Sequence, residues 1–199
     1  GIGYRALQEC TEGYNNTAVG NSAGLSLTDG DANTFLGNYA AYGATTVREA
    51  VVIGHAAGQG AMTSDANGTV AVGAVALNGL TSGQFNVAVG YNALLNQNGK
   101  NGEGQNTAVG YIAGDGITTG RWNTLVGSET GGGTTASGSI HIGKGAGGSV
   151  STGNNNIAIG LLAMDGGTVT GDNNIAIGAD AGDALSSGAN NVFIGKNAG

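Results

Sequence analysis

Short runs of β-branched residues alternate with stretches of Gly, Ala, Asn and Thr along the whole chain. The clearest runs read NTAVG at 16–20 and 106–110, NVAVG at 86–90, and NIAIG at 156–160 and 174–178. Looser copies are NTFLG at 33–37, AVVIG at 50–54, TVAVG at 69–73, NTLVG at 123–127, SIHIG at 139–143 and NVFIG at 191–195. Each ends on a glycine. With a truncated first copy at Gly3, these anchors are Gly20, Gly37, Gly54, Gly73, Gly90, Gly110, Gly127, Gly143, Gly160, Gly178 and Gly195. The period stays near 17 residues, and all variation falls outside the motif. That predicts about 12 coils of constant cross-section joined by turns of variable length.

The residue before the anchor is Val, Ile or Leu, and the one three before it is Thr, Val or Ile in every complete copy. Apart from Leu these types are β-branched and favour strands. Alternation places the two positions on one face, and their uniform size predicts the coil interior. The residue between them is usually Ala, but Phe35, Val52, Leu125, His141 or Phe193 in the looser copies. An apolar residue there predicts a second covered face, assigned to Ala18, Phe35, Val52, Leu125, His141 and Phe193 and to the axis of a trimer. Four before the anchor stand Asn16, Asn33, Asn86, Asn106, Asn123, Asn156, Asn174 and Asn191. Asn at one-coil spacing predicts an amide ladder that also serves as the turn into the strand. Gly seven before the anchor (13, 30, 83, 120, 153, 171, 188) is expected to supply a positive φ. Ala three after it predicts a tight internal site. Cys10, Leu27, Ala44, Ala61, Leu80, Ile117, Val150 and Leu185, seven after it, predict an inward column on a second, returning strand.

Composition narrows the fold class further. Of 199 residues 42 are Gly, none is Pro and only 5% are aromatic, too few large side chains for a wide globular core. Interior glycine costs a helix about 1 kcal/mol each, which disfavours helices. Collagen needs Gly at every third position and abundant Pro. Disorder fits poorly with 10% charged residues and regularly placed Val and Ile. The expected architecture is all-β: one parallel β-solenoid over 1–199, read as a piece of a longer chain because it begins and ends within a repeat. A net charge of −7 offers no basic footprint for nucleic acid. No apolar run is long enough for a membrane helix.

The N-[TIV]-A-[VI]-G-x-x-A pattern resembles the head repeats of trimeric autotransporter adhesins, and more closely the N-T-A-V-G-x-x-A repeats of phage and other viral tail fibres. The resemblance spans essentially the whole chain. It implies a left-handed parallel β-roll, a homotrimer and a role in surface attachment. The period near 17 and the frequent Thr in the motif lean towards the viral fibre.

No residue set in the sequence suggests catalysis or a cofactor. Cys10 is the only cysteine and falls in an inward column, so it reads as a buried thiol. His55 reads as a surface residue. His141, at the presumed axis, reads as a structural histidine, since a lone His lacks the partners a metal site needs; the alternative is three copies meeting around a metal or anion there. Asp29, Asp31, Asp65, Asp115 and Asp172 read as turn residues, because the repeat pattern of calcium-binding β-rolls is absent. GGGTTASG at 131–138 lacks the Lys-Ser/Thr ending of a phosphate loop. The long connections 58–68 and 95–105, the latter with Lys100, Asn101 and Glu103, are expected to protrude. Arg121-Trp122 forms a distinctive turn, with Trp122 placed to stack on a sugar or against a neighbouring chain.

The expected function is a trimeric shaft or head segment of a viral tail fibre, located on the virion. Its partners would be other fibre proteins and a host-surface glycan or protein. The alternative is the head of a bacterial adhesin at the cell surface. A third reading, an ice-binding solenoid, requires outward threonines, whereas Thr17, Thr34, Thr107 and Thr124 fall in the column read as interior.

Overall fold

The computed structural model describes residues 1–99, 102–133 and 135–199. Lys100 and Asn101 of the second long connection, and Thr134, lie outside them. Eleven three-residue strands run in chain order through one parallel sheet: β1 Thr17–Val19, β2 Thr34–Leu36, β3 Val51–Ile53, β4 Val70–Val72, β5 Val87–Val89, β6 Thr107–Val109, β7 Thr124–Val126, β8 Ile140–Ile142, β9 Ile157–Ile159, β10 Ile175–Ile177 and β11 Val192–Ile194. Each strand pairs with the next in the register of the repeat, so Ala18 lies beside Phe35 and Leu125 beside His141. A bridge from Ile2 to Val19 adds the truncated first copy. The chain is therefore a parallel β-solenoid of about ten turns, with one residue column per motif position.

Each coil has one strand, not the two expected. The return side is built from turns. Residues two and four after each anchor adopt left-handed φ, as Ser22 and Gly24, Val75 and Leu77, or Ile112 and Gly114 do. A third left-handed position lies five before the anchor, at residues such as Phe85, Gln105 and Trp122. Non-Gly residues resist this conformation by about 1–2 kcal/mol each. The offset comes from a second backbone ladder: Leu7 N–H donates to Ala23 O, Ala41 to Ala57, Leu77 to Ala93 and Met164 to Ala181, all at 2.9–3.0 Å. The turns are thus stacked like strands without extended backbone.

Sidedness is the main correction. The middle residue of each motif points into the coil: Ala18, Phe35, Val52, Ala71, Leu125 and His141 are at most 2% exposed in the single chain. Phe193, in the last coil, is half-buried and packs against the same core. The β-branched residues on either side point out. The core lies between the middle column and the column three after the anchor, which is buried as expected from Ala23 through Ala40, Ala57 and Ala76 to Ala181 and half-buried at Ala6 and Ala198 in the end coils. Of the column seven after the anchor, Leu27, Ala44, Leu80, Ile117 and Val150 are buried. Ala61 is exposed, and Met62 takes its inward place.

Volume is conserved across this narrow core. Where the middle residue is large, the residue four after the anchor is small: Phe35 with Ala41, Val52 with Gly58, Leu125 with Gly131, His141 with Gly147. Where the middle residue is Ala, the partner is large: Ala71 with Leu77, Ala88 with Leu94, Ala158 with Met164. Coils with two small residues borrow from both neighbours. The space beside Gly24 is filled by Leu7 and Phe35, that beside Gly114 by Leu94 and Leu125, and that beside Gly182 by Met164 and Phe193. Close packing at interior density requires such interlocking.

The asparagine column forms hydrogen-bonded ladders. Asn123 Oδ1 accepts from Ser139 N (2.9 Å), while its Nδ2 donates to Asn106 Oδ1 (3.0 Å) and Ala136 O (2.8 Å). One ladder joins Asn16, Asn33 and the N–H of Ala50. The other runs from Asn86 through Asn106 and Asn123 to Asn156, Asn174 and Asn191, with Ser139 substituting once. The turn role expected of these residues needs correcting. Asn156 and Asn174 are fully buried and do not themselves adopt the left-handed turn conformation. The residues just before them, Asn155 and Asn173, adopt it instead. The buried pair acts through its side chains: Asn156 Nδ2 donates to Gly171 O and Asn174 Nδ2 to Gly188 O, both at 2.9 Å. Each amide thus ties the strand entry to the preceding turn of the next coil.

The glycine seven before the anchor has another purpose than the positive φ expected. Only Gly83 of that set has one; at Gly13, Gly30 and Gly153 a Cβ would overlap the backbone carbonyl of the next coil. Asn123→Ala should destabilise the chain by roughly 2–3 kcal/mol, since it removes three buried hydrogen bonds and strands the Ser139 N–H and the Ala136 carbonyl. Urea unfolding followed by circular dichroism measures this.

Candidate interaction face

Because the motif is Thr/Val/Ile–X–Val/Ile/Leu and X points inward, the sheet presents two outward columns. One comprises Thr17, Thr34, Val51, Val70, Val87, Thr107, Thr124, Ile140, Ile157, Ile175 and Val192. The other comprises Val19, Leu36, Ile53, Val72, Val89, Val109, Val126, Ile142, Ile159, Ile177 and Ile194. Leu36 is 45% exposed and Val126 39%, large values for branched aliphatics in strands with a paired neighbour on both sides. At the usual strand spacing the eleven rungs make a strip about 48 Å long with about 7 Å between columns. No charged residue interrupts it. Tyr91 and Tyr111 extend its edge, with ring centroids 5.7 Å apart and nearly parallel planes. A continuous apolar strip of this size exceeds what scattered surface residues produce.

The outward threonines do not form a regular hydroxyl array. Thr17, Thr34, Thr107 and Thr124 face solvent rather than the interior, which removes the sequence argument against an ice-binding face. They are nevertheless interrupted by Val and Ile at seven of the eleven rungs. No protein-family model, curated protein or solved structure matches the chain. The face must be read from its own geometry. Among the described residues no group of three or more His, Cys, Asp or Glu could hold a metal, and no helix is long and apolar enough to cross a membrane.

His141 lies away from this face. Its ring is sealed inside the coil against Gly147, so it cannot meet its counterparts at an axis between chains. Neither ring nitrogen has a hydrogen-bond partner among the described residues. Burial pushes its pKa down from 6.5 to about 4. The hydrophobic core divides into two clusters across this rung. The unfolded chain takes up a proton that the fold excludes, so stability is unaffected above the unfolded pKa of 6.5, falls as pH drops from there to about 4, and levels off below. The full loss is about 3 kcal/mol. Leu125 fills the same position one coil earlier against Gly131. His141→Leu should therefore stabilise the protein by about 1–3 kcal/mol at pH 7 and remove this share of the acid sensitivity. Urea midpoints of both proteins at pH 7.5, 5.5 and 4.5 measure the difference.

Cys10 is half-buried, and its thiol lies 3.7 Å from Gly13 O in the inward column. His55 is exposed. Of the expected turn carboxylates, Asp31 accepts from Tyr14 N at 2.8 Å and pairs with Arg48 at 3.3 Å, and Asp172 accepts from Asn154 N at 2.6 Å. In the first long connection Thr63 caps a short 3-10 turn, Ser64–Ala66. The sequence reading missed the signal that sets the faces. That signal is the inverse size relation between the middle residue and the residue four after the anchor.

Proposed function

We propose that this chain is a segment of a homotrimeric attachment fibre, its three copies joined through the outward Val/Ile columns. The observation that carries the reading is the outward column from Val19 to Ile194, a branched aliphatic at every rung, beside a second column of Val, Ile and Thr, on a sheet whose other face is already filled. Such a surface is stabilised by burial at about 25 cal/mol per Å² of apolar area, and a repeating one is best covered by a repeating partner. A second copy of the same chain has the matching rise per rung. The number three, a left-handed coil and the viral setting rest on the likeness of the N-T-A-V-G-x-x-A repeats to tail-fibre repeats. In this reading the trimeric rod stands on the virion and holds a host-binding surface at a distance. The bacterial adhesin head is the alternative, and it predicts the same assembly. Sedimentation equilibrium tests the assembly. The expected mass is three times that of the chain at micromolar concentration, and a stable monomer with full β-structure would refute it.

A further inference from the structure

One corner of the solenoid breaks its own pattern. In the left-handed column five before the anchor, Gln105 and Trp122 are followed by Gly138, then Asn155 and Asn173. Gly138 leaves its rung without a side chain, and a groove of about 390 Å³ opens there. It is lined by Arg121, Trp122, Ser137, Asn154, Asn155 and Asp172. That volume is in the range of small-ligand sites.

The walls are fixed from behind. Arg121 N donates to Ser137 Oγ (3.2 Å), Ser137 N to Asn154 Oδ1 (3.0 Å) and Asn154 N to Asp172 Oδ1 (2.6 Å), a ladder that pins the polar side of the groove. On the other side the Trp122 indole Nε1 donates to Gln105 Oε1, and the Arg121 guanidinium, ion-paired with Glu103, lies over one face of the ring, 4.3 Å from its centroid, so a ligand can stack only on the other face. With these contacts made, Trp122 is still 52% exposed. The Asn155 amide reaches over Gly138 and makes no hydrogen bond among the described residues.

We propose that this groove binds a neutral sugar ring, the C–H face on the Trp122 indole and the hydroxyls on Asn155, Asn154 and the Asp172 carboxylate. An aromatic platform bordered by amides and a carboxylate suits a ring with one apolar face and a polar rim. Charge selects the class. Among the described residues the one cation lining the groove, Arg121, is already paired with Glu103, and Asp172 lines the wall, so sulfated or carboxylated sugars gain little there. The inference deepens the attachment reading by naming what the rod would touch. The groove is built within one chain, so it is testable whatever the assembly state.

Trp122 is the only tryptophan, so its emission reports on this groove alone. The full chain is titrated with neutral oligosaccharides (glucose, mannose, galactose and N-acetylglucosamine oligomers) and, in parallel, with a sulfated glycan. A saturable emission change with at least one neutral series, and none with the sulfated one, is expected. Gly138→Asn places at this rung the residue that already holds left-handed φ at 155 and 173; its Cβ falls where the Asn155 amide oxygen now lies, so it displaces that amide and narrows the groove. It should weaken binding about tenfold or more with an unchanged circular dichroism spectrum. Trp122→Ala, followed by calorimetry, should do the same. No saturable response to any neutral series would overturn the proposal. So would Trp122 emission that changes with protein concentration but not with sugar, which would make the patch a contact between copies. Sedimentation of the same samples separates either failure from failure of the trimer.

Discussion

Val126→Lys combined with Ile142→Glu should leave a folded chain that no longer assembles. The two residues are direct cross-strand partners on β7 and β8, in the same outward column. In a single chain the new side chains face each other in solvent and form an ion pair on adjacent rungs, so the solenoid keeps its register. In a trimer the same charges from each copy would enter a desolvated apolar seam. Even as a pair, the two ions each cost several kcal/mol to desolvate, their attraction repays this only in part, and the lost apolar burial adds to the deficit. Sedimentation should shift from trimer to monomer while far-ultraviolet circular dichroism is preserved. Thermal unfolding should lose any dependence on protein concentration. A variant still trimeric at micromolar concentration would exclude this face as the interface.

Gly110→Ala should be the most damaging conservative change within a single chain. Gly110 has φ of 144°, outside the range of L side chains, and its N–H donates to Val89 O at 2.8 Å. A Cβ there would also fall within the carbonyl of Gly127 in the next coil, which is backbone and cannot swing aside. The conformational and steric costs together should exceed about 3–4 kcal/mol, enough to unfold a marginal protein. Gly195, the last anchor of the 199 residues, provides the control in this chain taken by itself, where no further coil stacks on it. It has φ of 121° but nothing within 4 Å of its ideal Cβ. Gly195→Ala should therefore cost only the backbone part, about 1–2 kcal/mol. Denaturant melts of the two variants separate close stacking from dihedral strain, and equal losses would contradict the stacking argument.

The repeat, the Asn ladder and the small Ala site were legible because each is a column in which one chemistry recurs at every coil. The direction each strand faces was not. Uniform Val and Ile at the flanking positions suggested a packed interior, but this coil is too thin to hold two such columns. Its core admits one strand side chain per rung, opposed by the Ala three after the anchor. Phe35, Leu125 and His141 looked like interruptions of an outward Ala column; they are core residues matched by Ala41, Gly131 and Gly147. The left-handed turns were hidden for a different reason. Val75, Ile112 and Leu94 occupy them without any glycine signal, because coil-to-coil hydrogen bonds impose the conformation. The groove at Gly138 showed in the sequence only as Arg121-Trp122. The open space depends on a missing side chain one coil further on.

The interlocked core also bears on how the chain keeps its coils in order. The strand motifs are nearly identical, so a coil that looped out would let its two neighbours pair in perfect backbone register. Skipping the Phe35 coil would bring Gly24 beside Val52 and leave the space next to Leu7 empty. Skipping the Leu125 coil would bring the His141 imidazole beside Gly114 in place of the leucine that packs there with Leu94. Each large side chain thus serves as an address, readable only by the two coils that flank it. The departures from the consensus are what make a nearly periodic sequence fold in a single order.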